Sequence, residues 1–319
     1  MNEVSKPILA VTLNPALDLT IQCDILNLDA VNIASSGNLR AAGKGINVAK
    51  VLTDLGKQVS VTGILGEKNR EKFDAFFKEH LITNKCLYVE GETRINVKLA
   101  ETNDQVTEIN LPGMPLDSKH IEQFTQRLIQ ASRKSDWVVL SGSLPKSAPK
   151  NLYYLLTKTL KQQGARVVLD TSGEALRKAI KAVPFLVKPN IHELEQWCNH
   201  SITSSEQEAE VVAELLALGT QHVVVSHGRK GCRWYTKKQV WEALPLDSEL
   251  VSTVGAGDSM VAGLVYGLSN GWSNEATLKL ATAVAAQAVS QVGVGIADIH
   301  RLSALRKLVV VNEFEAITA

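Results

Sequence analysis

Short apolar runs alternate with amphipathic stretches along most of the chain. Ile8–Leu13, Val59–Thr62, Trp137–Leu140, Val167–Leu169, Leu186–Lys188 and Val223–Ser226 are nearly continuous in apolar residues and bounded by turn formers. Runs of that length without polar alternation fit strands buried on both faces, as in a mainly parallel sheet. Between them the apolar period lengthens. Asp117–Ala131 sets Ile121, Phe124 and Leu128 on one helical face, Glu206–Leu218 does the same with Val212, Leu215 and Leu216, and Gly45–Leu55 with Val48, Leu52 and Leu55. The alternation predicts an α/β three-layer sandwich with helices on both faces of a mainly parallel central sheet.

Two segments break the pattern. Asp18–Ser36 is rich in β-branched and small residues, and Asp24–Asp29 within it has little helical periodicity. Thr93–Asn110 alternates like a pair of strands, with Asn103-Asp104 as the hairpin turn. Together they predict a small β lid, built from segments about 14–37 and 90–112. No tandem repeat or low-complexity linker interrupts the chain, so one domain over residues 1–319 is expected. In open parallel sheets ligands bind beyond the carboxyl ends of the strands, so candidate site residues should follow the apolar runs.

Composition narrows the function. Lys plus Arg (34) nearly balances Asp plus Glu (33), giving a formal charge of +1. No overall basic field exists for nucleic acid or an anionic membrane, although a local site for a small anion is compatible with the balance. Cys23, Cys86, Cys198 and Cys232 show no C-x-x-C spacing, which points to reduced thiols rather than a metal cluster or disulfide framework. Ile8–Leu13 is too short for a signal-peptide core. The longest apolar stretch, Leu278–Val289, contains Lys279 and Gln287 and falls far short of the roughly 20 residues that span a bilayer. A cytoplasmic location is expected.

The strongest chemical signal is Val251-Ser-Thr-Val-Gly-Ala-Gly-Asp258, followed by an apolar helical stretch. Gly255, Ala256 and Gly257 can gather backbone N–H groups at a helix start, where the helix dipole also favours an anion. Asp258 would lie in the first turn. Beside a phosphoryl group it could accept the proton of an attacking hydroxyl. The same residues would also serve as a glycine turn with an acid stabilising the helix start.

Further stretches extend the pattern: Thr12-Leu-Asn-Pro-Ala-Leu-Asp18, Ala41-Ala-Gly-Lys-Gly-Ile-Asn-Val-Ala-Lys50, Thr93-Arg-Ile-Asn96, Ser141-Gly-Ser-Leu-Pro145 and Lys188-Pro-Asn190. Each is short, but they occur in one order from residue 12 onward, and with the Gly255–Asp258 stretch they resemble the ribokinase-type sugar kinases of the PfkB family across nearly the whole chain. The resemblance implies a ribokinase-like fold, ATP and Mg²⁺ as cofactors, and phosphoryl transfer to a sugar. Within the family, the stretches around residues 42–52, 93–99 and 251–261 are most similar to kinases acting on fructose 1-phosphate.

The resemblance also implies roles. Asp18, Gly43, Lys44, Asn47, Arg94 and Ser143 would bind the substrate, with Arg94 and Lys44 on its phosphate. Lys98, four residues beyond Arg94, would assist it or remain a solvated strand charge. Lys188, Asn190, Ser226, Gly228, Arg229, Gly231 and Gly257 would lie along ATP, and Asn190 with Glu193 would manage Mg²⁺ through water. Asn190 and Glu193 equally form a helix-start pattern. The usual family form carries Leu where His227 stands, and His227 reads as a surface histidine. The expected reaction is ATP-dependent phosphorylation of D-fructose 1-phosphate at its 6-hydroxyl, in a homodimer whose small sheets pair. Fructose 6-phosphate and tagatose 6-phosphate are alternative substrates, and a non-catalytic sugar-phosphate sensor is the alternative of another class.

Overall fold

The apolar runs form the spine of an eleven-stranded sheet. The structure, a computed structural model, describes residues 6–103, 105–246, 255–291 and 293–316. In chain order the strands are β1 (Ile8–Thr12), β2 (Ala16–Cys23), β3 (Ser36–Ala42), β4 (Val59–Gly66), β5 (Thr83–Asn84), β6 (Leu87–Val89), β7 (Ile95–Glu101) and β8 (Val106–Asn110). They continue as β9 (Trp137–Ser141), β10 (Arg166–Asp170), β11 (Leu186–Val187), β12 (His222–Ser226), β13 (Cys232–Tyr235), β14 (Gln239–Ala243) and β15 (Val311–Glu315). The large sheet runs β15-β14-β13-β12-β11-β10-β9-β1-β4-β5, with β6 also pairing β4. Pairing is parallel from β12 through β5 and antiparallel from β12 to β15.

Strand alternation sends side chains into two cores. Ile8, Ala10, Trp137, Val139, Val168 and Val224 join one, with the helices Lys44–Asp54, Arg70–Glu79, Ala256–Ser269 and Asn274–Val289. Leu9, Val11, Val138, Leu140, Val167 and Val225 join the other, with the helices Ser118–Ser132, Leu152–Gln162 and Ser205–Ala217. The sheet is therefore covered on both sides, which is why its inner strands are apolar at every position rather than at every second one.

A separate four-stranded sheet runs β3-β2-β7-β8. It corresponds to the two segments that broke the alternation. The expected first segment ended near residue 37, whereas β3 continues to Ala42 and delivers the chain directly into the helix Lys44–Asp54. Asp104 of the expected hairpin turn lies outside the described residues.

The antiparallel extension β13-β14-β15 was not legible in the apolar runs. Cys232–Tyr235 is interrupted by Arg233, and Gln239–Ala243 mixes polar and apolar positions. Arg233 is accommodated because its Nε donates to Glu242 Oε1 across the pair at 2.8 Å.

Candidate active site

The strand order reverses beside β1: the chain builds outward to β4 and β5 on one side and to β9, β10, β11 and β12 on the other. Such a reversal opens a crevice at the carboxyl ends of the strands. Asn14, just past β1, donates from Nδ2 to Ser143 Oγ, just past β9, at 3.0 Å. The loops of the two neighbouring strands are thus tied together at the mouth of the crevice.

The helix Ala256–Ser269 opens on this edge. Its N-cap, Gly255, has φ +79°, and a Cβ there would stand 2.4 Å from Val294 Cγ2, so both conformation and space call for glycine. Among the described residues no side chain caps the helix start, whose first amides have no acceptor within the helix. Asp258 lies in that first turn and is buried. Asn47, from the helix Lys44–Asp54, donates from Nδ2 to Asp258 Oδ2 at 2.7 Å. Asn47, expected to meet the sugar, thus holds the acid as well. Residues 251–254 of the motif lie outside the described residues.

Asp170, at the end of β10, is the residue that sequence reasoning missed. It is buried, with Lys44 Nζ 3.4 Å from Oδ2 and Lys188 Nζ 3.3 Å from Oδ1, and it accepts from Ser141 Oγ at 3.2 Å. A Cβ on Gly257 would stand 3.6 Å from Lys188 Nζ, so this ammonium fronts the helix start. The available signal was position alone: Asp170 follows an apolar run, as ligand-binding residues do in this architecture.

These groups set one another's ionisation. Burial, and then repulsion from Asp170, pushes the Asp258 carboxyl up to about 6, with Lys44, the Asn47 bond and Lys188 acting the other way. Burial also acts on Asp170, but the ammoniums of Lys188 and Lys44 outweigh it and hold this carboxyl below the usual carboxylate range. Lys44 is raised chiefly by Asp170, against its own burial, with Asp258 and Glu193 adding to the effect. Asp170 is thereby a fixed anion that gathers two cations, whereas Asp258 can exchange a proton near neutral pH.

The small sheet supplies further polar groups. Asp18 on β2 accepts from Asn96 Nδ2 at 3.1 Å and pairs with Lys98 Nζ at 2.7 Å, both on β7. Lys98 is therefore not a solvated strand charge but the partner of Asp18. The Arg94 guanidinium donates to the backbone carbonyls of Pro15, Leu111 and Asn14 at 3.2, 2.8 and 3.1 Å. It pins the β7–β8 hairpin to the loop after β1 and lines a small pocket with Asn14, Pro15, Met114 and Pro145. Arg40 sits opposite Asp18 in the β2–β3 register, and its guanidinium approaches Gly293. Gly43, with φ +138°, caps the start of the helix that carries Lys44 and Asn47.

Beyond β11, Asn190 and Glu193 form a reciprocal capping box. Asn190 Oδ1 accepts from the Glu193 amide at 2.8 Å, and the Asn190 amide donates to Glu193 Oε2 at 2.9 Å. Ser226 bridges to Asn190, and its amide donates to the Pro189 carbonyl at 3.1 Å. The turn Gly228–Lys230 follows and exposes Arg229 and Lys230, with Gly231 closing it. His227 is not a surface histidine: its Nε2 lies 2.6 Å from Oε2 of buried Glu208.

Residues 11–301 match the pfkB family of carbohydrate kinases. The chain is 40% identical over 309 residues to the 1-phosphofructokinase of Vibrio cholerae, covering 97% of this chain and 98% of that one. It is 42% identical over 311 residues to the 1-phosphofructokinase of Escherichia coli K12, covering 98% and 100%. Among solved structures, a chain from Thermotoga maritima described as a possible 1-phosphofructokinase superimposes with a TM-score of 0.86 at 28% identity, covering 96% and 99%. With likeness of this extent on a site of this geometry, the chain belongs to the pfkB family of carbohydrate kinases.

Proposed function

We propose that the protein transfers the γ-phosphoryl group of ATP to the 6-hydroxyl of D-fructose 1-phosphate, giving fructose 1,6-bisphosphate and ADP. The observation that carries this reading is the setting of Asp258: a buried carboxyl in the first turn of a glycine-started helix, in a chain 40–42% identical to curated 1-phosphofructokinases. Asp258 takes the proton of the 6-hydroxyl as its oxygen bonds to the γ-phosphorus and the bond to the bridging oxygen of ADP breaks. The amides of Gly255, Ala256 and Gly257 receive the negative charge of the transferring group. Lys188, fronting Gly257, adds a cation on the same side.

Lys44 and Arg94 hold the 1-phosphate, Asp18 and Ser143 meet sugar hydroxyls, and Gly43 lets the backbone come close. Fixing the sugar in this way makes the attack effectively unimolecular. Lys188, Asn190, Ser226, Gly228, Arg229 and Gly231 lie along ATP. Glu193 keeps one carboxylate oxygen outside its capping box and is near enough to Lys44 to raise it, which fits a hydrated Mg²⁺ held by Asn190 and Glu193. When bound, that ion offsets the charge of the ATP phosphates. The small sheet acts as a lid that excludes water, and it is also the surface through which a homodimer forms.

ADP release with Mg·ATP, measured on fructose 1-phosphate, fructose 6-phosphate and tagatose 6-phosphate at matched low concentrations, tests the reading. A kcat/KM preference for fructose 1-phosphate of about a hundredfold, roughly 2.7 kcal/mol of transition-state discrimination, is expected. Preference for either 6-phosphate overturns the substrate assignment. Binding without turnover overturns the enzyme in favour of a sensor.

A further inference from the structure

The helix Ser205–Ala217 docks on the sheet through Val211, Val212, Leu215 and Leu216. Glu208 stands on the same seam one turn earlier and is equally buried, so a carboxylate occupies a place that an apolar side chain would fill. A buried carboxylate is costly unless it is bonded. Tyr235 donates its hydroxyl to Oε1 at 2.7 Å, while Oε2 has Arg233 NH1 at 3.5 Å and His227 Nε2 at 2.6 Å. Arg233 is shared with Glu242, leaving His227 as the short contact to Oε2.

His227 is also the hinge of the turn after β12. Its amide donates to the Gly231 carbonyl at 2.9 Å, and its carbonyl accepts from Lys230 at 3.1 Å. One residue earlier, Ser226 is tied to Pro189 and Asn190. With the ring anchored inward on Glu208, the backbone of the turn is fixed against the segment Lys188–Asn190, and Arg229 and Lys230 are left outward.

We propose that His227, anchored by the buried Glu208, is a positioning residue for the nucleotide: the pair fixes the shape of the 226–231 turn. This rests on the reading that the turn lies along ATP. It assigns an energetic task to a buried acid that phosphoryl transfer does not use. The His227 ring turns inward onto Glu208 and is assigned neither to the transferred group nor to the sugar, so the effect falls on ATP affinity rather than on the chemical step.

Steady-state kinetics and thermal unfolding of four variants test the proposal. Losing a bond to a charged group is worth about a factor of ten, so His227→Leu should raise the KM for ATP about tenfold, with kcat and the KM for fructose 1-phosphate within about twofold. His227→Gln, whose amide can still donate to Glu208, should stay within about twofold of wild type throughout. Glu208→Gln combined with His227→Leu removes the buried charge, and should regain thermal stability while the KM for ATP stays raised. An unchanged KM for ATP in His227→Leu, or a KM that returns to wild type with stability in the double variant, overturns the positioning role. Arg229→Ala with Lys230→Ala separates this from the underlying reading: if that variant raises the KM for ATP while His227→Leu does not, only the positioning role fails, and if neither moves it, the turn does not lie along ATP.

Discussion

Asp258 carries two costs that the proposed role as base would explain. It is buried, and it faces the permanent anion Asp170, so its carboxyl is pushed up to about 6. A general base must be ionised to act, so wild-type kcat/KM for fructose 1-phosphate should fall about tenfold per pH unit below about 6. A flat rate down to pH 5 would remove Asp258 as the base. Stability carries the opposite sign. Between about 4 and about 6 the folded chain holds this proton more tightly than the unfolded chain, so the contribution of Asp258 to stability falls as pH rises through that window. Asp258→Asn should therefore be more stable than wild type at pH 8, by about 1–2 kcal/mol, with the gap closing toward pH 4. The same variant should lose about a thousandfold in kcat while retaining ATP binding. Equal stability at pH 8, or near-normal turnover, contradicts the assignment. Asn47 holds Asp258 Oδ2 and lies one turn from Lys44 in the stretch that the sequence reading assigned to the sugar.

At the level of elements, the site depends on how closely the helix that carries Asp258 is seated. The helices Ala256–Ser269 and Asn274–Val289 approach until a Cβ on Gly263 would lie 2.5 Å from Ala281 Cα, a backbone atom that cannot step aside. Gly263→Val should destabilise the fold by about 2–3 kcal/mol, and kcat should fall in the soluble fraction because the helix start moves relative to Lys188. Unchanged melting and turnover would show that the contact yields freely. This intimacy was invisible in the sequence, where the apolar stretch said only that the helix is buried. The parallel strands were legible because burial on both faces leaves continuous apolar runs. The β13-β14 pair was not, because Arg233 and Glu242 satisfy each other across the strands and read separately as surface residues. Asp170 was hidden for a related reason: its meaning comes from Lys44, 126 residues away, and Lys188, which only the converging strand ends bring beside it.

For the whole molecule, the two faces of the small sheet bear on the closure and association proposed above. Its register sends Asp18, Arg40, Asn96 and Lys98 to one face and Leu19, Ile21, Val97, Leu99 and Ile109 to the other. The first face carries Asp18, the acid assigned to a sugar hydroxyl, with Asn96 and Lys98 bonded to it. On the second, Leu19, Ile21, Val97 and Leu99 are half-buried and Ile109 is exposed, which leaves a row of apolar side chains without cover from the chain itself. A second copy of the same sheet is the occupant that suits such a face, because a two-fold pairing covers both surfaces with one set of residues. Sedimentation should then give twice the mass of the chain at micromolar concentration. Leu99→Glu, which places a carboxylate in that contact, should shift the protein to a single chain with little change in its melting temperature. Because the opposite face of β7 bears Asn96 and Lys98, the loss of pairing should raise the KM for fructose 1-phosphate more than the KM for ATP. A wild-type protein that sediments as one chain, or a Leu99→Glu variant that remains double, would show that the apolar face serves something other than pairing.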